Sequence, residues 1–316
     1  MLVNGTWAAD WHPIQAKDGE GRFVRHPSSI RHWVTPDGEA GPTGAGRFMA
    51  AAGRYHLYVA LTCPWASRSL MVRKLKKLED VISVSVVGPF LTDQGWRFGG
   101  YPGAGPDPLH GVSYLHELYT RADPSYTGRA TVPVLWDKQR DTIVNNESAD
   151  IIRMLNSAFD GFGDASVDLY PEGLRGDIDA LNPELYSRLN NGVYKAGFAS
   201  SQEAYEEAAT DVFDMLDSLE ARLSDGRRYL FGNQLTEADI RLFVTLIRFD
   251  AAYFGLFKCN IRRVADYLHL SAYVKRIHAF PGIVDTVNLD HIKVGYYSIK
   301  SLNPSGIVPL GPTLDA

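Results

Sequence analysis

The stretch Tyr55-His56-Leu57-Tyr58-Val59-Ala60-Leu61-Thr62-Cys63-Pro64-Trp65-Ala66 decides how the rest of the chain is read. Tyr55 to Leu61 are aromatic, β-branched or apolar, which predicts a strand. Pro64 suits the first position of a helix, where no intrahelical N–H partner is lost and the fixed φ is already helical. Ala66, Leu70, Leu75 and Leu78 give that helix an apolar face at near-helical spacing. Cys63 is therefore expected at a strand-to-helix junction, at the positive end of a helix dipole, where the thiolate is stabilised over the thiol. Free cysteines are more often small buried residues, but this context favours a nucleophile. Ala66 stands where the second cysteine of a Cys-x-x-Cys motif would be, so an internal dithiol couple is excluded. A monothiol here needs an external resolving thiol, for which glutathione is the usual cytosolic candidate.

Composition narrows the class. At 316 residues the chain holds one large or two ordinary domains. A hydrophobic fraction of 45% and a charged fraction of 22% are those of a globular protein. A formal charge of −5 gives no reason to expect a nucleic-acid partner. The basic run Arg68, Arg73, Lys74, Lys76 and Lys77 reads as a solvated helix face. Two cysteines, Cys63 and Cys259, are not a disulfide framework. The start, Met1 to Trp7, lacks the basic and apolar regions of a signal peptide, and no stretch reaches the length of a membrane span. A cytoplasmic location is expected. The histidines, His110 and His116 included, show no ligand spacing, so no metal is expected.

Residues 1–53 mix Gly, Pro and charge with Trp7, Trp11, Phe23 and Trp33, which suggests an irregular extension packed onto a domain. Within it, Gly41 to Phe48 misses the phosphate-loop pattern, because Arg47-Phe48 replaces Lys and Ser or Thr. After the first helix, Ile82 to Val87 predicts a second strand, and Gly88 to Gly128 a long insertion. Trp96 and Phe98 make that insertion either a functional lid or an anchored surface loop. Thr131 to Trp136 reads as a strand opening on Val132-Pro133, which a cis bond would explain. Thr142 to Val144 is a further short strand. Glu147-Ser148 then opens a helix, with Ser148 as its cap and its N–H groups as an anion site. Glycines in residues 157–176 mark a linker. Beyond it the period is helical: Ala204, Ala208, Val212, Leu216 and Leu219 form one stripe. Thr236 and Asp239 form a capping box, stapled by Leu235 and Ile240, ahead of an apolar helix to about Phe254. A further helix is expected from about Asp266 to Ala279. Cys259, just past the apolar helix, is expected to be a spectator.

In this order, the strand–Cys-Pro–helix unit, the Val-Pro strand, the Glu-Ser helix start and the helical second half resemble the cytosolic glutathione transferases. Cysteine in place of Ser or Tyr narrows the match to the thiol-using classes. Cys63-Pro64-Trp65-Ala66, Trp96, Asn146-Glu147-Ser148, Asn191-Gly192-Val193-Tyr194 and the tail with Gly295-Tyr296-Tyr297 resemble the glutathionyl-hydroquinone reductases, the xi class, over nearly the whole chain. The resemblance implies an extension (1–53), a thioredoxin-like α/β domain (54–156), a linker (157–176) and an all-α domain with a C-terminal extension (177–316). It implies a homodimer that uses glutathione and acts on glutathionyl-hydroquinones, with no membrane partner. It implies that Trp96, Arg129, Ala130, Thr131, Val132, Glu147 and Ser148 hold glutathione. It implies catalysis by Cys63, with Tyr194 as general acid and Tyr253 and Tyr296 beside the thiol. Two rival readings share these residues. One is an omega-like thiol transferase or dehydroascorbate reductase; the other is a non-catalytic binding protein on the same fold.

Overall fold

The computed structural model describes residues 1–8, 16–44 and 46–313. Trp11 of the extension, Ala45 of its glycine-rich connector and the terminal Ala316 lie outside the described residues. The chain forms two compact units. The first comprises Met1–Pro13, Pro27–Asp168 and Thr286–His291; the second comprises Ile14–His26, Leu169–Asp285 and Ile292–Ala316.

In the first unit, two short strand pairs come from the N-terminal segments. They are β1 (Leu2–Val3) with β2 (Thr6–Trp7), antiparallel, and β3 (Val34–Thr35) with β4 (Phe48–Met49), parallel. The core is a five-stranded sheet. Its elements follow as β5 (Tyr55–Val59), α1 (Pro64–Leu75), β6 (Ser83–Thr92), β7 (Gly95–Phe98), α2 (Leu115–Ala122), β8 (Val134–Asp137), β9 (Thr142–Asn145) and α3 (Ser148–Ser157). Across the sheet the strand order is β7-β6-β5-β8-β9. Only β5 and β6 run parallel, and a parallel pair needs a crossover of helical length, which α1 supplies. The central β5 is buried at all five positions, which is why its sequence lacks polar alternation. Helices α1 and α3 pack together. The Val132–Pro133 peptide is cis, and Pro133 lies just before β8, outside the ladder where its missing N–H would matter.

Two expectations are corrected here. The insertion 88–128 is not one continuous loop: it holds the end of β6, all of β7 and α2. Strand β6 continues through Gly88 and Pro89 to Thr92, turns at Asp93-Gln94 and returns as β7, with Trp96 opposite Leu91. The register shifts between Val87 and Leu91, so Pro89 falls in an irregularity that needs no ladder donor. The basic run is a solvated face only in part: Lys77 is exposed, but other members are not. Arg68 and Lys76 are buried, at 2% and 1% exposure. Lys76 Nζ donates to Asp160 at 2.6 Å and to the Val167 carbonyl at 2.7 Å. Arg73 donates to the carbonyls of Ile82 and Glu79. These cations tie the end of α1 to the segments around it.

The second unit is helical. It contains α4 (Arg175–Glu184), α5 (Gly192–Phe198), α6 (Gln202–Leu223), α7 (Glu237–Arg248), α8 (Leu268–His278) and, from Ile292, most of α9 (Leu289–Tyr297). Every residue of α7 is buried, so it is the unit's central helix, and it continues as a wider turn over Phe249–Tyr253. The capping box at Thr236 and Asp239 is present. The strip Lys17 to Arg25 folds back on itself through the bridge Lys17↔Phe23. Arg22 holds it against α6 by two bonds to Glu207, at 2.9 and 3.0 Å. No helix among the described residues is long and apolar enough to cross a membrane.

Candidate active site

Cys63 is the N-cap of α1, with extended backbone (φ −80, ψ 117) and Pro64 behind it. The thiol is half-buried, and its Sγ lies 3.7 Å from the Val132 carbonyl oxygen, to which it donates. The first turn of α1 and the cis Val132–Pro133 segment therefore flank one sulfur. An extended thiol-bearing peptide laid beside Val132 would meet backbone groups on one side and the thiol on the other.

The start of α3 differs from expectation in one respect. The cap is Glu147, not Ser148: its Oε1 accepts from Ala149 N at 3.0 Å, and Ser148 is the first helical residue. Glutamate is an uncommon cap. Here its second oxygen takes the Ser28 hydroxyl at 3.0 Å, so both carboxylate oxygens are engaged. Ser148 is buried, and its hydroxyl accepts from Arg68 at 3.4 Å. The N-terminal segment supports this turn at several points. Ile30 N donates to Asn146 Oδ1, and Arg31 makes a bidentate pair with Asp150 at 2.6 and 2.7 Å.

Tyr119 joins the two halves of this region and was not legible in the sequence. Its ring is buried on α2, and burial pushes its hydroxyl up to about 12. The hydroxyl donates to the Thr131 carbonyl at 2.8 Å and accepts from Asn146 Nδ2 at 3.1 Å. One phenol thus fixes both the Thr131-Val132 backbone and the turn before Glu147. Its only sequence signal was a place on the apolar face of α2 with Leu115 and Leu118. Arg129 and Ala130 are half-buried and directly precede Thr131. Trp96 is half-buried on β7, the opposite edge of the sheet from β9 and the Glu147 turn.

In the second unit the three tyrosines meet. The Tyr296 hydroxyl lies 2.6 Å from that of Tyr194 and 2.8 Å from that of Tyr253. Phe257 packs its ring against all three, at centroid distances of 5.4, 5.3 and 5.6 Å. Burial, with the neighbouring phenols, holds Tyr253 and Tyr296 well above the ordinary tyrosine range. Both stay protonated at neutral pH. Tyr194 is the half-exposed member. Cys259 is buried, and burial pushes its thiol up to about 12, so it holds no thiolate at neutral pH. Among the described residues, no group of three or more His, Cys, Asp or Glu is gathered as a metal ion would require.

Residues 62–158 match the family model "Glutathione S-transferase, N-terminal domain", and residues 202–276 match "Glutathione S-transferase, C-terminal domain". The chain is 53% identical to glutathionyl-hydroquinone reductase YqjG of Escherichia coli, across 100% of this chain and 96% of that protein. The chain belongs to the glutathionyl-hydroquinone reductase family. A second relative, glutathionyl-hydroquinone reductase PcpF of Sphingobium chlorophenolicum, is 50% identical, across 99% of this chain and 96% of its own. The glutathione-bound structure of the Escherichia coli reductase superposes with a TM-score of 0.91 at 51% identity, covering 100% of this chain and 96% of that one. The architecture is therefore the glutathione transferase fold of this family, an α/β thioredoxin-like domain followed by an all-α domain.

Proposed function

We propose that this protein removes glutathione reductively from glutathionyl-hydroquinones. The observation that carries the reading is the thiol of Cys63 at a helix N-cap, beside the Val132 backbone. Family membership supports it. Glutathione lies along Trp96 and Arg129 to Val132, with its γ-glutamyl end at Glu147 and Ser148. The substrate ring first takes its keto form. A proton from Tyr194 goes to the carbon bearing sulfur, and the adjacent hydroxyl gives up its proton to water to become the carbonyl, so the ring stays neutral and Tyr194 is left as the phenolate, which the thiol proton of the second glutathione later restores. The Cys63 thiolate then attacks the glutathione sulfur. The carbon–sulfur electron pair enters the ring as an enolate, which takes a proton to become the hydroquinone. Cys63 is left in a mixed disulfide. A second glutathione thiolate attacks this, frees Cys63 and leaves as oxidised glutathione. The aromatic carbon gains two electrons, and the thioether sulfur of the conjugate and the thiol sulfur of the second glutathione become one disulfide. Tyr296, itself bonded to Tyr253, keeps the Tyr194 hydroxyl in place. The protein works as a homodimer in the cytoplasm; this fits glutathione's role in a reducing compartment.

The test is thiol-dependent release of hydroquinone from its glutathionyl conjugate. Cys63→Ser should abolish it while the fold and glutathione binding persist, because a hydroxyl at this cap is not ionised at neutral pH. More than a few per cent residual turnover would refute the role of Cys63. Turnover of a simple mixed disulfide with none of the conjugate would instead favour a thiol transferase.

A further inference from the structure

The strip Lys17 to Arg25 brings a cation to the face of Tyr194. The Arg25 guanidinium carbon lies 4.7 Å from the Tyr194 ring centroid and 5.2 Å from that of Phe23. Its Nε donates to Asn191 Oδ1 at 2.6 Å. Asn191 is the N-cap of α5, and its side chain makes no cap bond of its own, so its oxygen serves Arg25 instead. The Asn191 carbonyl accepts from Tyr194 N at 3.1 Å, so the group that fixes Arg25 also lies one turn before Tyr194. The strip itself is held on the helices. Phe23 packs on Phe198, Gly21 O accepts from Ser200 N at 3.0 Å, and Arg22 pairs with Glu207. The placement of Arg25 is thus fixed by several contacts along the strip.

We infer that Arg25 is a positioning residue for Tyr194: held by Asn191, it orients the phenol and favours the phenolate left once the proton has been given. A cation over an aromatic face interacts more strongly as the ring becomes richer in electrons. A phenolate is richer than a phenol, so the contact strengthens as the O–H bond breaks and lowers the barrier to that step. The inference rests on Tyr194 being the acid, and it adds that the N-terminal strip takes part in the proton transfer.

The experiment is a double-mutant cycle run on two substrates, a glutathionyl-hydroquinone and a glutathione mixed disulfide. Arg25→Gln should lower kcat on the conjugate by about 3- to 30-fold, the rate equivalent of a lost cation–π contact. It should leave KM for glutathione and turnover of the disulfide within about twofold. Arg25→Lys, which keeps the charge, should recover part of the loss. In a Tyr194→Phe background, Arg25→Gln should cost nothing further. Equal losses on both substrates, or an undiminished loss in the Tyr194→Phe background, would make Arg25 a purely structural contact and overturn the inference. If Tyr194→Phe alone fails to separate the substrates, the acid assignment falls first and takes the inference with it. Thermal melts of each variant distinguish either result from misfolding.

Discussion

A phenol that gives a proton to carbon must be neutral at the working pH and reachable by the ring. Tyr194 is the half-exposed member of a cluster whose other two phenols are buried. Tyr194→Phe should lower the rate on glutathionyl-hydroquinones by roughly 10²–10⁴, the span of a lost general acid. It should hardly change reduction of a mixed disulfide, whose leaving thiolate needs no proton on carbon. Equal losses on both would pass the acid role to Tyr253 or Tyr296. The start of α3 separates two roles that the sequence had merged in Ser148. Glu147 carries the cap, so Glu147→Ala should cost about 1 kcal/mol of stability. Ser148→Ala should weaken glutathione binding by roughly 1–3 kcal/mol and leave the melting temperature nearly unchanged. Calorimetric titration with a parallel melt decides this; unchanged affinity would remove Ser148 from the site. At this scale the sequence was informative where chemistry follows from neighbours, as at Cys63-Pro64 and Val132-Pro133. It was silent on Tyr119 and Arg25, whose partners lie at distant positions that no local pattern encodes.

Elements were legible wherever one period ran uninterrupted. The helix after Cys63 has such a period; the strand before it and α7, buried all round, were legible as apolar runs with clear starts, and their expected and observed bounds differ by a few residues. The hairpin of β6 and β7 was missed because Gly88-Pro89 carries a turn signal that a bulge absorbs. The basic run misled for a related reason. Charge predicts exposure only when no carboxylate or carbonyl lies within reach, and Lys76 has Asp160 and Val167. The capping box of α7 was read correctly, yet its carboxylate does more than cap. Asp239 is fully buried and accepts from Leu230 N, Thr236 N, the Thr236 hydroxyl and the Tyr273 hydroxyl. Burial pushes its carboxyl above the usual range, and those four bonds oppose the shift. Asp239→Ala would strand four buried donors, and should cost roughly 3–5 kcal/mol in urea unfolding. A loss below about 1 kcal/mol would show that the network can rearrange.

For the whole molecule, acid sensitivity should centre on the sheet. His56, on β5, bonds Ser83 at 2.7 Å and Ser85 at 2.9 Å, one hydroxyl at each ring nitrogen. Burial lowers its pKa to about 4. As pH falls below 6.5 the unfolded imidazole takes up a proton and the folded one does not. The stability that neutral His56 confers is therefore complete above pH 6.5, drains as pH falls and is gone near pH 4. The total is about 3 kcal/mol. Denaturant unfolding between pH 7 and 4.5 should show this decline, and His56→Asn should flatten it; equal slopes would place the sensitivity elsewhere. The overall architecture, a sheet unit and a helical unit, followed from the change of period after residue 176. The assignment of Ile14–His26 to the helical unit did not, because nothing in its composition distinguishes it from the extension around it. That assignment bears on how parts could be exchanged between relatives. A chimera spliced once at Leu169 would inherit its helices from one parent and the strip bearing Phe23 and Arg25 from the other. Three segments, Ile14–His26, Leu169–Asp285 and Ile292–Ala316, have to be transplanted together if the helical unit is to arrive whole.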